Sequence, residues 1–137
     1  MRYLGLDLGT KTLGIALSDK LGIVASFYKS IRYEDEKELF KEIKSIVEKE
    51  CVDKIVLGLP KNMNNSLGFR AEETIAFKEK LEKEIDKEII LEDERLTTVV
   101  AQKTLIDADL SRKKRKKVVD GVSAVIILQS YLDRKER

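Results

Sequence analysis

Tyr3-Leu4-Gly5-Leu6-Asp7-Leu8-Gly9-Thr10-Lys11-Thr12-Leu13-Gly14-Ile15-Ala16-Leu17 sets one carboxylate inside an otherwise apolar strand, then turns tightly through Gly, Thr and Lys. An ionised carboxylate in apolar surroundings is costly unless it is hydrogen-bonded, paired or bound to a cation. Asp7 is therefore expected to be buried with a partner, and a metal ion is the simplest one.

Working outward, residues about 2–8, 13–18 and 23–31 read as three strands, separated by the Gly-Thr-Lys-Thr turn and by Asp19-Lys20-Leu21-Gly22. Links this short imply an antiparallel meander. Leu39, Phe40, Ile43, Ile46 and Val47 then recur at helical spacing and predict an amphipathic helix over 35–50. The run from Lys54 to Pro60 is short, apolar and ended by proline, as in a central strand covered on both faces. A polar loop over 61–68 leads to a helix over about 70–86, with Ala71, Ile75, Leu81 and Ile85 inward. A fifth strand over 88–92 runs into Asp93-Glu94-Arg95-Leu96-Thr97-Thr98, where either Thr can cap a helix reaching about 107. Six basic residues precede a final helix that is apolar almost all round and hence buried. The expected architecture is α/β: a mixed five-stranded sheet, three antiparallel strands then two parallel crossovers, with helices on both faces.

The 137 residues suit a single domain over 1–137. No stretch approaches about 18 consecutive apolar residues and the N-terminus lacks a signal-peptide pattern, so a cytoplasmic protein with no membrane contact is expected. Absence of His excludes Ser-His-Asp and Cys-His catalysis and His-based zinc sites. The single Cys51 excludes an internal disulfide and is expected to fill space after a helix. Any chemistry must then use carboxylates, Lys, Arg or hydroxyls, and carboxylate oxygens suit Mg²⁺ or Mn²⁺. The net charge of +2 is uneven: residues 1–110 carry 18 basic and 22 acidic side chains, residues 111–137 carry 9 and 3. That asymmetry points to a polyanion near the C-terminal segment.

Three acidic sites fall where solvated surface is not expected. Asp7 lies beside Gly5 and Gly9, which let a ligand or another backbone approach closely. Asp93 and Glu94 follow the fifth strand, where ligands gather in open α/β sheets, and alternation leaves the choice between them open. Asp120 opens the final helix and shares a face with Ala124, Ile127 and Tyr131. Each also has a plainer reading: Asp7 binding turn amides, Asp93 and Glu94 solvated, Asp120 favouring a helix N-terminus. Converging, they would hold two divalent ions about 4 Å apart for phosphodiester hydrolysis. Arg112, Lys113, Lys114, Arg115, Lys116 and Lys117 oppose the helix macrodipole, which a bound phosphate backbone explains better than stability does. Their mutual repulsion makes the run mobile without a ligand.

The ordered set Asp7-Leu-Gly-Thr-Lys with Gly14-Ile-Ala, Gly58-Leu-Pro60 with Asn62-Met63, Asp93-Glu-Arg-Leu-Thr-Thr98, and Val119-Asp120 leading into Ile126-Ile-Leu-Gln129 resembles the YqgF (RuvX-like) family over nearly the whole chain. That resemblance implies an RNase H-like fold related to Holliday junction resolvases, divalent-metal phosphodiesterase chemistry, and a role in trimming the 5′ end of 16S rRNA precursor. It implies Asp7, Glu94 and Asp120 as catalytic metal ligands, choosing Glu94 over Asp93. Lys11, Arg95 and the 112–117 run would hold phosphates of the nucleic acid, precursor rRNA or branched DNA. Thr12 stands where the family usually has Arg, Asn65 where Gly is usual and Phe69 where Pro is frequent. Loss of the Arg bears on substrate affinity more than on fold.

Three other functions fit parts of the pattern. A Holliday junction resolvase would keep the acids, cut four-way DNA and act as a homodimer. A non-catalytic nucleic-acid-binding module would keep the acids only as structural remnants and bind through its cations. A nucleotide-binding protein shares Asp-x-Gly-Thr, but needs two such lobes, and Ile15-Ala16 occupies the position of the P-loop Lys-Ser/Thr.

Overall fold

The computed structural model describes residues 1–9, 11–59, 69–93 and 112–135, with side chains throughout except at 69, 70 and 112–122. The elements are β1 (Tyr3–Leu8), β2 (Thr12–Ser18), β3 (Ala25–Arg32), α1 (Glu36–Lys49), β4 (Lys54–Leu59), α2 (Phe69–Glu84), β5 (Glu88–Asp93) and α3 (Arg112–Lys135). One five-stranded sheet has the order β3-β2-β1-β4-β5. β1 and β2 pair antiparallel, as do β2 and β3, while β4 lies parallel to both β1 and β5. The mixed sheet expected from the sequence is the one found.

Pleating sorts each strand between two cores. Leu4, Leu6, Leu13, Ile15, Ile55 and Leu57 face α1 and α2, where Leu39, Phe40, Ile43, Ile46 and Val47 form the stripe read from the helical spacing. Asp35 caps α1 by accepting from the Lys37 N–H at 3.0 Å. On α2 the buried positions are Ala71, Thr74, Phe77 and Leu81. Ile75, expected inward, is half-buried: the stripe runs through Thr74 and Phe77, about 100° away from Ile75 around the helix. Phe77 meets Phe40 with ring centroids 5.3 Å apart.

The other face is smaller in scale. Tyr3, Ala16, Ala25 and Val56 pack against Ala124, Ile127, Leu128 and Leu132 of α3. A Cβ on Gly5 would lie 2.7 Å from Leu128 Cβ and 3.2 Å from the Ala124 carbonyl oxygen, so glycine is what lets α3 sit this close. Among the described side chains of α3, 123–135, only one side is fully buried, with Val125 and Ile126 intermediate, so this part of the helix lies on the sheet rather than inside a core.

Three boundaries differ from expectation. β3 begins at Ala25, because residues 19–24 form a turn in which Asp19 accepts from the Ile23 and Val24 N–H groups and Gly22 takes φ +70. α3 already includes the basic run, which was read as a segment before the helix. Lys and Arg are good helix formers, and a run without apolar residues carries no periodic signal. Cys51 is exposed, not space-filling: it takes φ 54 just past α1, and the Val52 N–H donates to the Val47 carbonyl in a Schellman closure.

Candidate functional site

The most informative surface is the α3 face of β1. Asp7 is half-buried near the end of the strand, less enclosed than its apolar neighbours imply. Its directly paired residue on β2 is Gly14. Gly5 and Gly9 share its face along β1, and the parallel ladder to β4 reaches Leu6↔Leu57, just before Gly58. Among the described residues the strand positions paired with it or next to it on this face are glycines, so no large side chain is rooted there.

Beyond Asp7 the chain reverses in a tight hairpin. The Gly9 N–H donates to the Thr12 carbonyl at 2.7 Å, and Thr12 Oγ1 lies 2.7 Å from where a Gly9 Cβ would be. From the end of β3, the Tyr33 N–H donates to the Lys11 carbonyl at 3.0 Å and the Tyr33 hydroxyl donates to the Gly9 carbonyl at 3.3 Å. Lys11 is exposed on this braced turn.

α3 runs past β1 in the opposite direction. Tyr131 meets Tyr3 edge-on at 5.7 Å, while Ala124 and Leu128 lie over Gly5. Asp120 lies in the helix one turn before Ala124, and eight residues inside it rather than at its opening as expected. Its reading as a residue favoured by the helix N-terminus therefore lapses.

On β5 the pleat separates the acids. Ile89 and Leu91 belong to the α1/α2 core, so Asp93, two residues further, turns toward that face and away from Asp7. Glu92 turns toward α3. It is 7% exposed and paired with Arg134 of α3 at 2.5 Å. Burial pushes its carboxyl above the usual range, with the Arg134 guanidinium opposing that rise. Sequence inspection missed this pair, whose members lie 42 residues apart with no motif linking them. Glu94 and Arg95 lie outside the described residues, as do the 61–68 loop and the helix expected to reach 107. For the 112–117 run the backbone is helical. Among the described residues no group of three or more Asp, Glu, Cys or His converges. No helix among them is long and apolar enough to cross a membrane.

The sheet order, with α3 packed on one face, is that of an RNase H-like fold. Similar solved structures are Thermus thermophilus RuvC in complex with Holliday junction substrate, with a TM-score of 0.61 at 10% identity over 99% of this chain and 96% of that one, and the Fowlpox virus resolvase with Holliday junction DNA, 0.58 at 12% over all of both. A family model described as "RuvX: Holliday junction resolvase" matches residues 1–134, so the chain belongs to that family, and by class it is a nuclease. Relatives carrying the name "Putative pre-16S rRNA nuclease" include one from Clostridium tetani, 54% identical over 97% of this chain and 96% of its own length, and one from Bacillus cytotoxicus, 50% identical over 98% and 100%.

Proposed function

We propose that this protein is a divalent-metal-dependent endonuclease that trims the 5′ end of 16S rRNA precursor, with Asp7, Glu94 and Asp120 as the metal ligands. The observation that carries this reading is the register between β1 and α3. Gly5 lies under Ala124 and Leu128. A step of two residues along a strand covers about 6.7 Å and one helical turn about 5.4 Å, so the next position along β1, Asp7, and the turn of α3 before Ala124, which carries Asp120, advance together. Glu94 follows two residues after Glu92, the β5 acid on the α3 face, and itself lies outside the described residues.

An all-oxygen donor set without His fits Mg²⁺ or Mn²⁺. Such ions, when bound, supply positive charge for the phosphoryl oxygens and make water nucleophilic near neutral pH. The chain's own part is to fix the carboxylates on two rigid elements and to keep the glycine-bordered surface open to the sugar-phosphate backbone. Lys11, Arg95 and the 112–117 run neutralise phosphates flanking the cut. Cations at the N-terminal end of α3 oppose its macrodipole at about 0.3–1 kcal/mol each, a cost that a bound polyanion reverses. The relatives' names support precursor rRNA as substrate.

Likeness in fold to two junction-bound resolvases supports a second reading, cleavage of four-way DNA by a homodimer. The test offers purified protein both a precursor 16S rRNA fragment and a four-way junction, with Mg²⁺ or Mn²⁺. Rapid cutting of the RNA, reduced at least about 100-fold in Asp7→Asn, is expected. Unchanged activity in Asp7→Asn overturns the assigned site, and selective junction cutting by a dimer favours the second reading. Cleavage in EDTA removes the metal from the proposal, and binding of both substrates with no cleavage in any metal favours a binding module.

A further inference from the structure

The corner beside the β1–β2 hairpin holds a cation that the site described so far does not use. Arg32 ends β3 and pairs directly with Thr12 on β2. Directly paired residues point to one side of a sheet, and Thr12 shares the Gly9 and Asp7 side. Independently, Ile31 is buried in the α1/α2 core, so its neighbour Arg32 must face the other way. The row through Asp7 continues across the sheet as Gly14 and then Ser30, and the next row is Gly9, Thr12 and Arg32. Ideal strand spacing and rise put Arg32 about 12 Å from Asp7 between Cα atoms, with only small side chains between.

Two further features bear on this arginine. Arg32 is exposed and makes no ion pair or hydrogen bond through its side chain among the described residues, whereas Lys29 on the opposite side of the same strand is neutralised by Glu42 at 2.5 Å. Its backbone is also held in place, because the next residue, Tyr33, donates to both the Lys11 and the Gly9 carbonyl groups.

The geometry points to Arg32 as a phosphate-anchoring residue, binding a backbone phosphate of the strand that crosses β2 and β3 on its way to Asp7. An arginine here stands beside the very position where Thr12 offers no charge. This inference rests on the nuclease reading of the Asp7 face, and its test is a binding measurement that needs no turnover.

In an Asp7→Asn background with EDTA, affinity for a fluorescent RNA duplex carrying a single-stranded 5′ extension is measured between 50 and 200 mM salt, adding Arg32→Gln, Arg32→Lys or Lys29→Gln. Loss of one phosphate contact lowers the slope of log affinity against log salt by about 0.7–0.9. That loss is expected for Arg32→Gln, with affinity falling about tenfold at the lowest salt, and not for Arg32→Lys or Lys29→Gln. An unchanged slope in Arg32→Gln overturns the proposal, as does an equal loss in Lys29→Gln. Circular dichroism of each variant checks that the fold is intact. Failure of the wild-type chain to cleave in Mn²⁺ would strike the nuclease reading alone and leave this result standing.

Discussion

The two faces of the sheet are built on opposite rules. Under α1 and α2, β1 presents Leu4 and Leu6 to a core of large aliphatic and aromatic side chains. Under α3, the same strand presents Tyr3, Gly5 and Asp7 to a helix whose Ala124 and Leu128 press onto bare backbone. One face is filled to hold the fold, and the other is thinned so that a helix can come close. A single strand serves both because its side chains alternate, so a function can be placed on one side without weakening the other.

Opposite substitutions should break this contrast in opposite ways. Leu6→Ala removes volume from the filled face, and chemical denaturation should show a loss of about 2–5 kcal/mol. Gly5→Ala adds a single methyl group to the thinned face. With Leu128 Cβ at 2.7 Å from the new atom, α3 has to shift, and a loss of about 1–3 kcal/mol is expected. Gly5→Ala should also lower cleavage more than its stability loss explains, because α3 carries Asp120; a variant as active as wild type would detach the helix position from the site.

Arg134→Met sharpens the comparison at the β5 end, where a buried acid rather than glycine meets α3. At pH 7 it leaves the nearly buried Glu92 without its cation, at a cost of about 1–2 kcal/mol. Burial raises the Glu92 carboxyl, so protonation in the folded state begins above the unfolded value of 4.5. A protonated Glu92 needs no cation, and the difference from wild type should shrink as pH falls through the raised value, then vanish below 4.5. A difference that stays constant from pH 7 to 4 would show that packing of Arg134 on Tyr131, not charge, is what the mutation removes. The smallest effect lies off both faces. Cys51→Gly relieves a left-handed backbone at the end of α1 and should raise stability by about 0.5–1 kcal/mol, read by thermal melting.

The sheet was legible because each of its signals is local. The Gly-Thr-Lys-Thr turn fixed the β1–β2 hairpin, and five apolar residues at helical spacing fixed α1 down to the residues that are buried. What escaped depends on partners distant in sequence. That Asp93 turns away from Asp7 follows only once the pleat of β5 is tied to the α1/α2 core through Ile89 and Leu91. The Glu92–Arg134 pair has no sequence signature at all. Thr74 and Phe77 displaced Ile75 because the rotation of α2 is set by Phe40 on another helix. The α3 boundary failed for the opposite reason: six cations look like a loop to any reading based on hydrophobic pattern. Of the proposed site, Asp7 was legible as a carboxylate out of place, and Arg32 was not, since its relation to Thr12 exists only across strands.

Lys135 lies over the Tyr3 ring at 5.3 Å, and the Tyr131 ring packs against the same side chain, so the first strand and α3 meet across about 130 residues of sequence. During synthesis the strands and α1 can assemble while α3 is still being made, but the thinned face then has nothing to cover it. Contacts of such large sequence separation form slowly, because the loop they close must be ordered first. A nascent or truncated chain ending before residue 123 would therefore present bare glycine and alanine backbone on the side of β1 that α3 otherwise covers.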